Sequence, residues 1–285
     1  HDQDSYYGPE HYVGEQQIAF GQATWNQHLT ESLRVLGGVS ARYSIYDDNT
    51  PATTEPERRF IPGVFGQSEL SLGDVTLLGG LRLDHHAEHG GVTAPRLSAK
   101  YSPSELTTLR ASGGTGFRVV NVFTEDHAAL TGSREIMFEE DLDPERSRSV
   151  TASVEQILPF GTNPLTVSID GFYTRFSNKI IPNYDRNDVL IVYENLDGFS
   201  VTRGVSVGLD QNFTVLPVTY NASFTLSDVY TKEAGTRQAV TYAPDFMGSF
   251  GATYTLRFIE TTVEYTGRLT GPKRMPDLYV EDYGR

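Results

Sequence analysis

The sequence predicts an all-β chain forming the wall of an antiparallel up-and-down transmembrane β-barrel, and three observations predict it. Apolar residues recur with period two, the strands they define are long, and tight turns alternate with long connections. Val75, Leu77, Gly79, Leu81 and Leu83 share one face, while Thr76, Leu78, Gly80, Arg82, Asp84 and His86 share the other. Tyr220, Ala222, Phe224 and Leu226 oppose Asn221, Ser223, Thr225 and Ser227. Phe250, Ala252, Tyr254 and Leu256 oppose Ser249, Gly251, Thr253 and Thr255, and Val263 and Tyr265 oppose Thr262, Glu264 and Arg268. A soluble sheet with one buried face would alternate in the same way, so the punctuation decides.

Tight turns are expected near Thr30–Ser32, Ser71–Asp74, Ser102–Glu105, Pro159–Asn163, Leu216–Pro217 and Arg257–Glu260. Between them lie longer polar connections at Asp47–Arg59, His85–Pro95, Phe117–Ser147, Asn178–Asp188 and Thr231–Thr241, with a tail from Thr270. Six turns, each flanked by two strands, give twelve strands of roughly 10–17 residues, against about 5–6 for ordinary soluble strands. Long antiparallel strands with short turns at one rim and long loops at the other are the outer-membrane barrel pattern. No linker or composition break divides the chain, so residues 1–285 are read as one domain.

Composition narrows the function. The chain has 285 residues, no cysteine, 38% hydrophobic and 11% aromatic residues, and a formal net charge of −14. It is too apolar and aromatic for a disordered acidic tail. The acidic balance argues against a nucleic-acid partner, which would require a basic patch. The absence of cysteine removes disulfides, thiol catalysis and thiolate-bound zinc. The longest apolar run, Val189 to Tyr193, is far too short for a membrane-spanning helix. Spanning strands never need such a run.

Sidedness follows from the cost of charge in lipid, about 2–4 kcal/mol for Arg at the bilayer midplane. Leu77, Leu81, Tyr220, Phe224, Phe250, Tyr254 and Val263 are expected to face lipid. Arg82, Arg96, Arg110, Asn221, Glu264 and Arg268 are expected to face the lumen.

Ligand-like groups are few. His85, His86 and His89 form the densest cluster, in Asp-His-His-Ala-Glu-His. On a strand His85 and His86 point to opposite faces and cannot share a metal unless the strand ends between them. A solvated loop edge is the plainer reading of all three, and no metal or cofactor is assigned. Asp47, Asp48, Asn49 and Thr50 offer oxygen ligands without the spacing of a calcium loop, so a polar turn is expected. Glu135, Glu139, Glu140 and Asp141 read as a solvated loop face. No nucleophile-elbow, Walker or paired-histidine zinc motif occurs, and Gly113–Gly116 precedes no helix. The chain therefore reads as a non-enzyme. Tyr6, Tyr7 and Tyr12, placed before the first strand, and Phe123 could stack on a ligand; an interfacial belt or loop packing is the alternative.

The stretch from Leu109 to Arg118, ending Gly113-Gly114-Thr115-Gly116-Phe117-Arg118, leads through a long loop into Leu142-Asp143-Pro144-Glu145-Arg146-Ser147. Together these resemble the central barrel of TonB-dependent outer-membrane transporters. Arg96–Pro103 resembles the preceding strand and turn of that family. Gly171–Tyr173, Ile180–Ile181, Tyr193–Leu196 and Gly204–Val205 resemble the following hairpin. The form of the loop from Phe123 to Gly132 is most similar to receptors of the Bacteroidetes. The resemblance implies active uptake of an iron chelate, cobalamin or a glycan across a bacterial outer membrane, energised by the TonB complex. A passive porin-like or adhesin barrel is the alternative. The family barrel has about 22 strands, so twelve imply a partial barrel, an internal piece without the plug domain or the terminal strands. Its first edge would be the strand near Ile18–Leu29 and its second the strand near Glu260–Leu269. Arg118, Glu125, Asp126, His127 and Arg134, all in the longest loop, are the candidate substrate contacts, because long loops on rigid scaffolds carry function.

Overall fold

The computed structural model describes residues 1–285 except 8–9, 50–52, 54, 120–134, 139–141, 184–189, 214–215, 257 and 276–285. Among the described residues there is no helix. Strands are numbered in chain order. Twelve are long: β2 Glu10–His28, β3 Leu33–Asp48, β4 Glu57–Leu72, β5 Val75–His86, β6 Gly90–Ser104, β7 Thr107–Arg118, β9 Glu145–Leu158, β10 Leu165–Ser177, β13 Gly198–Asn212, β14 Val218–Glu233, β16 Phe246–Leu256 and β17 Thr261–Thr270. Five are short: β1 Asp2–Tyr7, β8 Glu135–Phe138, β11 Ile180–Asn183, β12 Leu190–Asn195 and β15 Thr236–Ala239.

The long strands join antiparallel to their neighbours in the order β1-β2-β3-β4-β5-β6-β7-β9-β10-β13-β14-β16-β17, with β15 paired to β14. All six expected turns are present, each joining two long strands. Gly73, at φ +57°, sits in the left-handed region between β4 and β5, where a side chain would be strained.

One expected long connection is wrong. His85–Pro95 is not a loop: β5 runs to His86 and β6 resumes at Gly90, leaving only residues 87–89 between them. Gly90 takes a left-handed φ of +70° and closes the turn.

Register fixes the faces, because directly paired residues in an antiparallel sheet lie on the same side. Leu81 pairs with Gly66 and Pro95, and Arg82 with Phe65 and Ala94. Following the ladders, Leu77, Leu81, Leu97, Leu109, Val154, Ile169, Val205, Tyr220, Phe224, Phe250, Tyr254 and Val263 fall on one face. Arg82, Arg96, Arg110, Asn221, Glu264 and Arg268 fall on the other. The expected sidedness holds in every strand that carries it. Most of the apolar set is exposed in the isolated chain, for example Leu97 at 70%, which is what a surface solvated by lipid requires.

Charge on the apolar face is confined to its long-loop end. Arg146, Arg148, Arg175, Arg203 and Lys232 lie within a few residues of the strand ends there. Arg203 pairs with Asp228 at 2.9 Å, and Arg237 pairs with the same carboxylate while lying 4.0 Å from the Tyr230 ring centroid. Such a rim lies above the apolar band, where headgroups and water solvate charge.

The sheet is an open arc. Among the described residues no ladder joins β1 or β2 to β17. The expected first edge needs one correction: β1 adds to β2, but only between the pairs Asp2↔Glu15 and Tyr7↔Glu10. From Gln17 to His28, β2 has β3 as its one strand partner among the described residues.

A candidate functional site at the mouth

The long-loop end of the polar face gathers side chains from five strands into a recess of about 590 Å³. β3 supplies Ser40, Arg42 and Ser44, β4 Arg59 and Ile61, β5 Arg82, Asp84 and His86, and β7 Arg118, while Ile18 and Phe20 of β2 form an apolar side. Register explains the convergence: Ser40 pairs with Gly63, and Gly63 with Asp84, so these groups stand in one row across the sheet. Gly63 leaves the space, since a side chain there would meet Asp84 and Ser40.

Arg82 grips Asp84 with Nε and Nη2, each 2.7 Å from a carboxylate oxygen, and Nη2 also donates to Ser40 Oγ at 2.9 Å. Its guanidinium lies 5.6 Å from the Phe65 ring centroid. Asp84 is buried, and the bidentate geometry compensates its desolvation. Arg59 pairs with Glu57 at 2.8 Å. Arg42 makes no ion pair with a described residue and projects into the recess. The mouth thus carries a cationic surplus within a chain of net charge −14.

Of the expected contacts, Arg118 is at the mouth but is occupied: its Nε donates to Glu145 Oε2 at 2.8 Å, with Nη2 at 2.8 Å as well. Buried Glu145 also accepts from the Ile180 backbone N–H at 2.9 Å, joining β7, β9 and β11. Nearby Lys179 is held below the usual lysine range, chiefly by burial. Glu145→Gln is expected to loosen this buckle. The half-exposed Arg118 limits the loss to about 1–2 kcal/mol, seen as roughly tenfold faster hydrogen exchange at Ile180. Glu125, Asp126, His127 and Arg134 lie outside the described residues.

Above the mouth, β8 of the longest loop pairs in parallel with β12, and β12 with β11, forming a three-stranded sheet. Asn195 anchors it, accepting from Asp143 N at 2.7 Å and donating to Asp143 O at 3.0 Å and Asn178 O at 2.8 Å. Val192, Tyr193 and Ile180 are buried there. Sequence reasoning missed this sheet, although Leu190-Ile191-Val192-Tyr193 and Glu135-Ile136-Met137-Phe138 are short runs with strand preference.

The tyrosines also need correction. Tyr12 lies within β2, buried, and its hydroxyl is 3.0 Å from that of Tyr46, which donates to Asp48 at 2.5 Å. Tyr6 belongs to β1 and stacks on His11 at 4.4 Å. The polar turn expected at Asp47–Thr50 starts later than expected: Asp47 and Asp48 end β3, paired with Glu15 and Gly14, and Asn49 beyond them donates to His11 O at 2.7 Å and accepts from Val13 N at 2.9 Å.

The histidines separate as their alternation requires. His85 faces outward, paired with Gly91, while His86 is 2% exposed and turns toward the mouth.

An open antiparallel arc with a lipid-type face, a polar face and a charged mouth matches one known architecture. The family model described as TonB dependent receptor-like, beta-barrel, matches residues 1–283. This chain belongs to that family of outer-membrane barrels. The iron-regulated outer membrane virulence protein of Vibrio cholerae is 24% identical over 226 residues, 77% of this chain and 32% of that protein. The vitamin B12 transporter BtuB of Vibrio vulnificus is 27% identical over 126 residues, 42% of this chain and 20% of that one. The ferric enterobactin receptor of Pseudomonas aeruginosa superposes with a TM-score of 0.70 at 16% identity, covering 93% of this chain and 43% of that structure. The chain thus spans a third or less of the length of these curated relatives. The TonB-dependent barrel places this wall in the bacterial outer membrane.

Proposed function

We propose that this chain is part of the barrel wall of an active outer-membrane transporter that captures a scarce, anionic nutrient complex at its mouth. An iron chelate fits best. The observation that carries this reading is Arg42, which lines the recess without an ion-pair partner among the described residues, while Arg59, Arg82 and Arg118 beside it are each matched by one carboxylate. Such a surface raises the local concentration of anions and orients them on arrival. Family membership supports energised uptake through the TonB complex, with the full barrel completed by strands beyond this arc. The iron-linked name of the Vibrio cholerae relative and the ferric enterobactin ligand of the Pseudomonas receptor support an iron complex over cobalamin or a glycan.

Uptake of a labelled ferric siderophore by cells producing the full receptor tests it. Transport is expected to stop when the inner-membrane proton gradient is collapsed. Continued uptake would instead favour a passive barrel. Arg42→Glu is expected to weaken chelate binding roughly tenfold, equivalent to about 1.4 kcal/mol, because Arg42 has no ion-pair partner to lose among the described residues. Unchanged binding would remove the mouth from the ligand path.

A further inference from the structure

His86 presents an unsettled account. It is 2% exposed, and among the described residues neither Nδ1 nor Nε2 has a hydrogen-bond partner. A buried ring with two unsatisfied nitrogens is costly, and proteins rarely leave such groups without a partner. Two further ligand-type side chains stand beside it. The donor atoms of His86, Glu88 and His89 all lie within 4.8 Å of one another. The His86 and His89 ring centroids are 4.8 Å apart, and His89 Nε2 is 3.9 Å from the Glu88 carboxylate.

The chain geometry makes this grouping. His86 ends β5 on the inward face, residues 87–89 turn, and Gly90 at φ +70° reverses the chain into β6. His89 is thereby carried back over His86, whereas His85, one residue earlier, points to the opposite face. Neighbouring charge is already paired. Arg59 approaches from β4 but is neutralised by Glu57 at 2.8 Å, and Asp84 is held by Arg82.

We propose that His86, Glu88 and His89 form a binding site for a divalent transition-metal ion of the Zn²⁺ type on the inner rim of the barrel mouth. Two imidazoles and one carboxylate are the donors that borderline ions such as Zn²⁺ and Cu²⁺ select, and they suit Ca²⁺ and Mg²⁺ poorly. Tetrahedral Zn²⁺ with bonds near 2.0–2.1 Å sets donor separations of about 3.4 Å. Closing from the observed spacing takes little more than rotation of the exposed Glu88 and of His89 in the turn. Three protein donors leave a fourth position for water or for a donor atom arriving from outside. His86 also lines the mouth recess, so a bound ion would staple the β5–β6 turn and add positive charge there.

The test is Zn²⁺ titration of the full-length receptor, purified in detergent without a histidine tag, by calorimetry, with Co²⁺ as an optical probe of coordination. The intact receptor is expected to bind one Zn²⁺ that His86→Ala and His89→Ala both remove. Affinity should fall by more than the roughly 10–100-fold that loss of an outer-shell partner costs. Glu88→Gln should weaken binding, and His85→Ala should leave it unchanged. His89 and Glu88 lie in a surface turn, so their variants keep the test valid if His86→Ala folds poorly. Absence of Zn²⁺ binding by the intact receptor, or undiminished binding in His89→Ala and Glu88→Gln, overturns the proposal.

Discussion

Phe224→Arg is expected to destabilise the folded receptor in lipid vesicles by about 2–4 kcal/mol, the cost of a lipid-facing Arg near the bilayer midplane. Phe224 lies near the middle of β14, pairs with Val207 and Gly248, and stacks on Phe246 at 5.8 Å. Substitution therefore adds a desolvation penalty and loses a ring contact. Ser223→Arg, one residue earlier on the inward face, loses only the 2.8 Å hydroxyl contact with Ser249. It should cost less than about 1 kcal/mol, because water solvates the new charge. Urea unfolding of both variants in vesicles measures the difference. Equal costs would mean that the two faces see the same solvent.

Deleting residues 122–132 from the longest loop is expected to abolish uptake while leaving barrel assembly intact. The wall beneath does not depend on that segment: β7 and β9 pair continuously from Thr107↔Gln156 to Arg118↔Glu145. Glu125, Asp126 and His127, proposed as substrate contacts, leave with the deletion. Arg118, just before it, keeps its pairing with Glu145. Heat-modifiable mobility on gels would report a folded barrel, and labelled chelate uptake would report function. Full uptake by the deleted receptor would reject the loop as a substrate contact.

Much of the architecture was legible because lipid and water impose opposite demands on adjacent residues. Leu81 beside Arg82 and Phe224 beside Thr225 each declare a face, and the ladders carry that declaration across twelve strands. Turn chemistry located six hairpins but not the tight β5–β6 and β14–β15 reversals. Where lipid imposes no demand, the pattern weakens. β1 and the β8–β12–β11 sheet are short, polar-flanked and held by local contacts such as those of Asn195. The Gly90-Gly91 pair marks a reversal but does not say whether three residues or ten precede it, so β5 and β6 were expected to be shorter than they are. The mouth was the least legible part. Ser40 and Arg42 of β3 and Arg82 and Asp84 of β5 lie up to 44 residues apart in sequence, and only register, through Gly63 of β4, brings them side by side. His86 was visible as a ligand type, but its burial and its proximity to His89 depend on the tightness of a turn that sequence left open.

The central claim is that this arc is a wall with lipid on one side and water on the other. Single cysteines placed in turn at residues 220 to 227 of the full-length receptor, spin-labelled in lipid vesicles, test it most directly. This segment has no cysteine of its own. Labels at 220, 222, 224 and 226 should collide preferentially with oxygen, which concentrates in lipid. Those at 221, 223, 225 and 227 should collide preferentially with a water-soluble nickel chelate, giving a period of two. Loss of that alternation, or its inversion, would contradict the account.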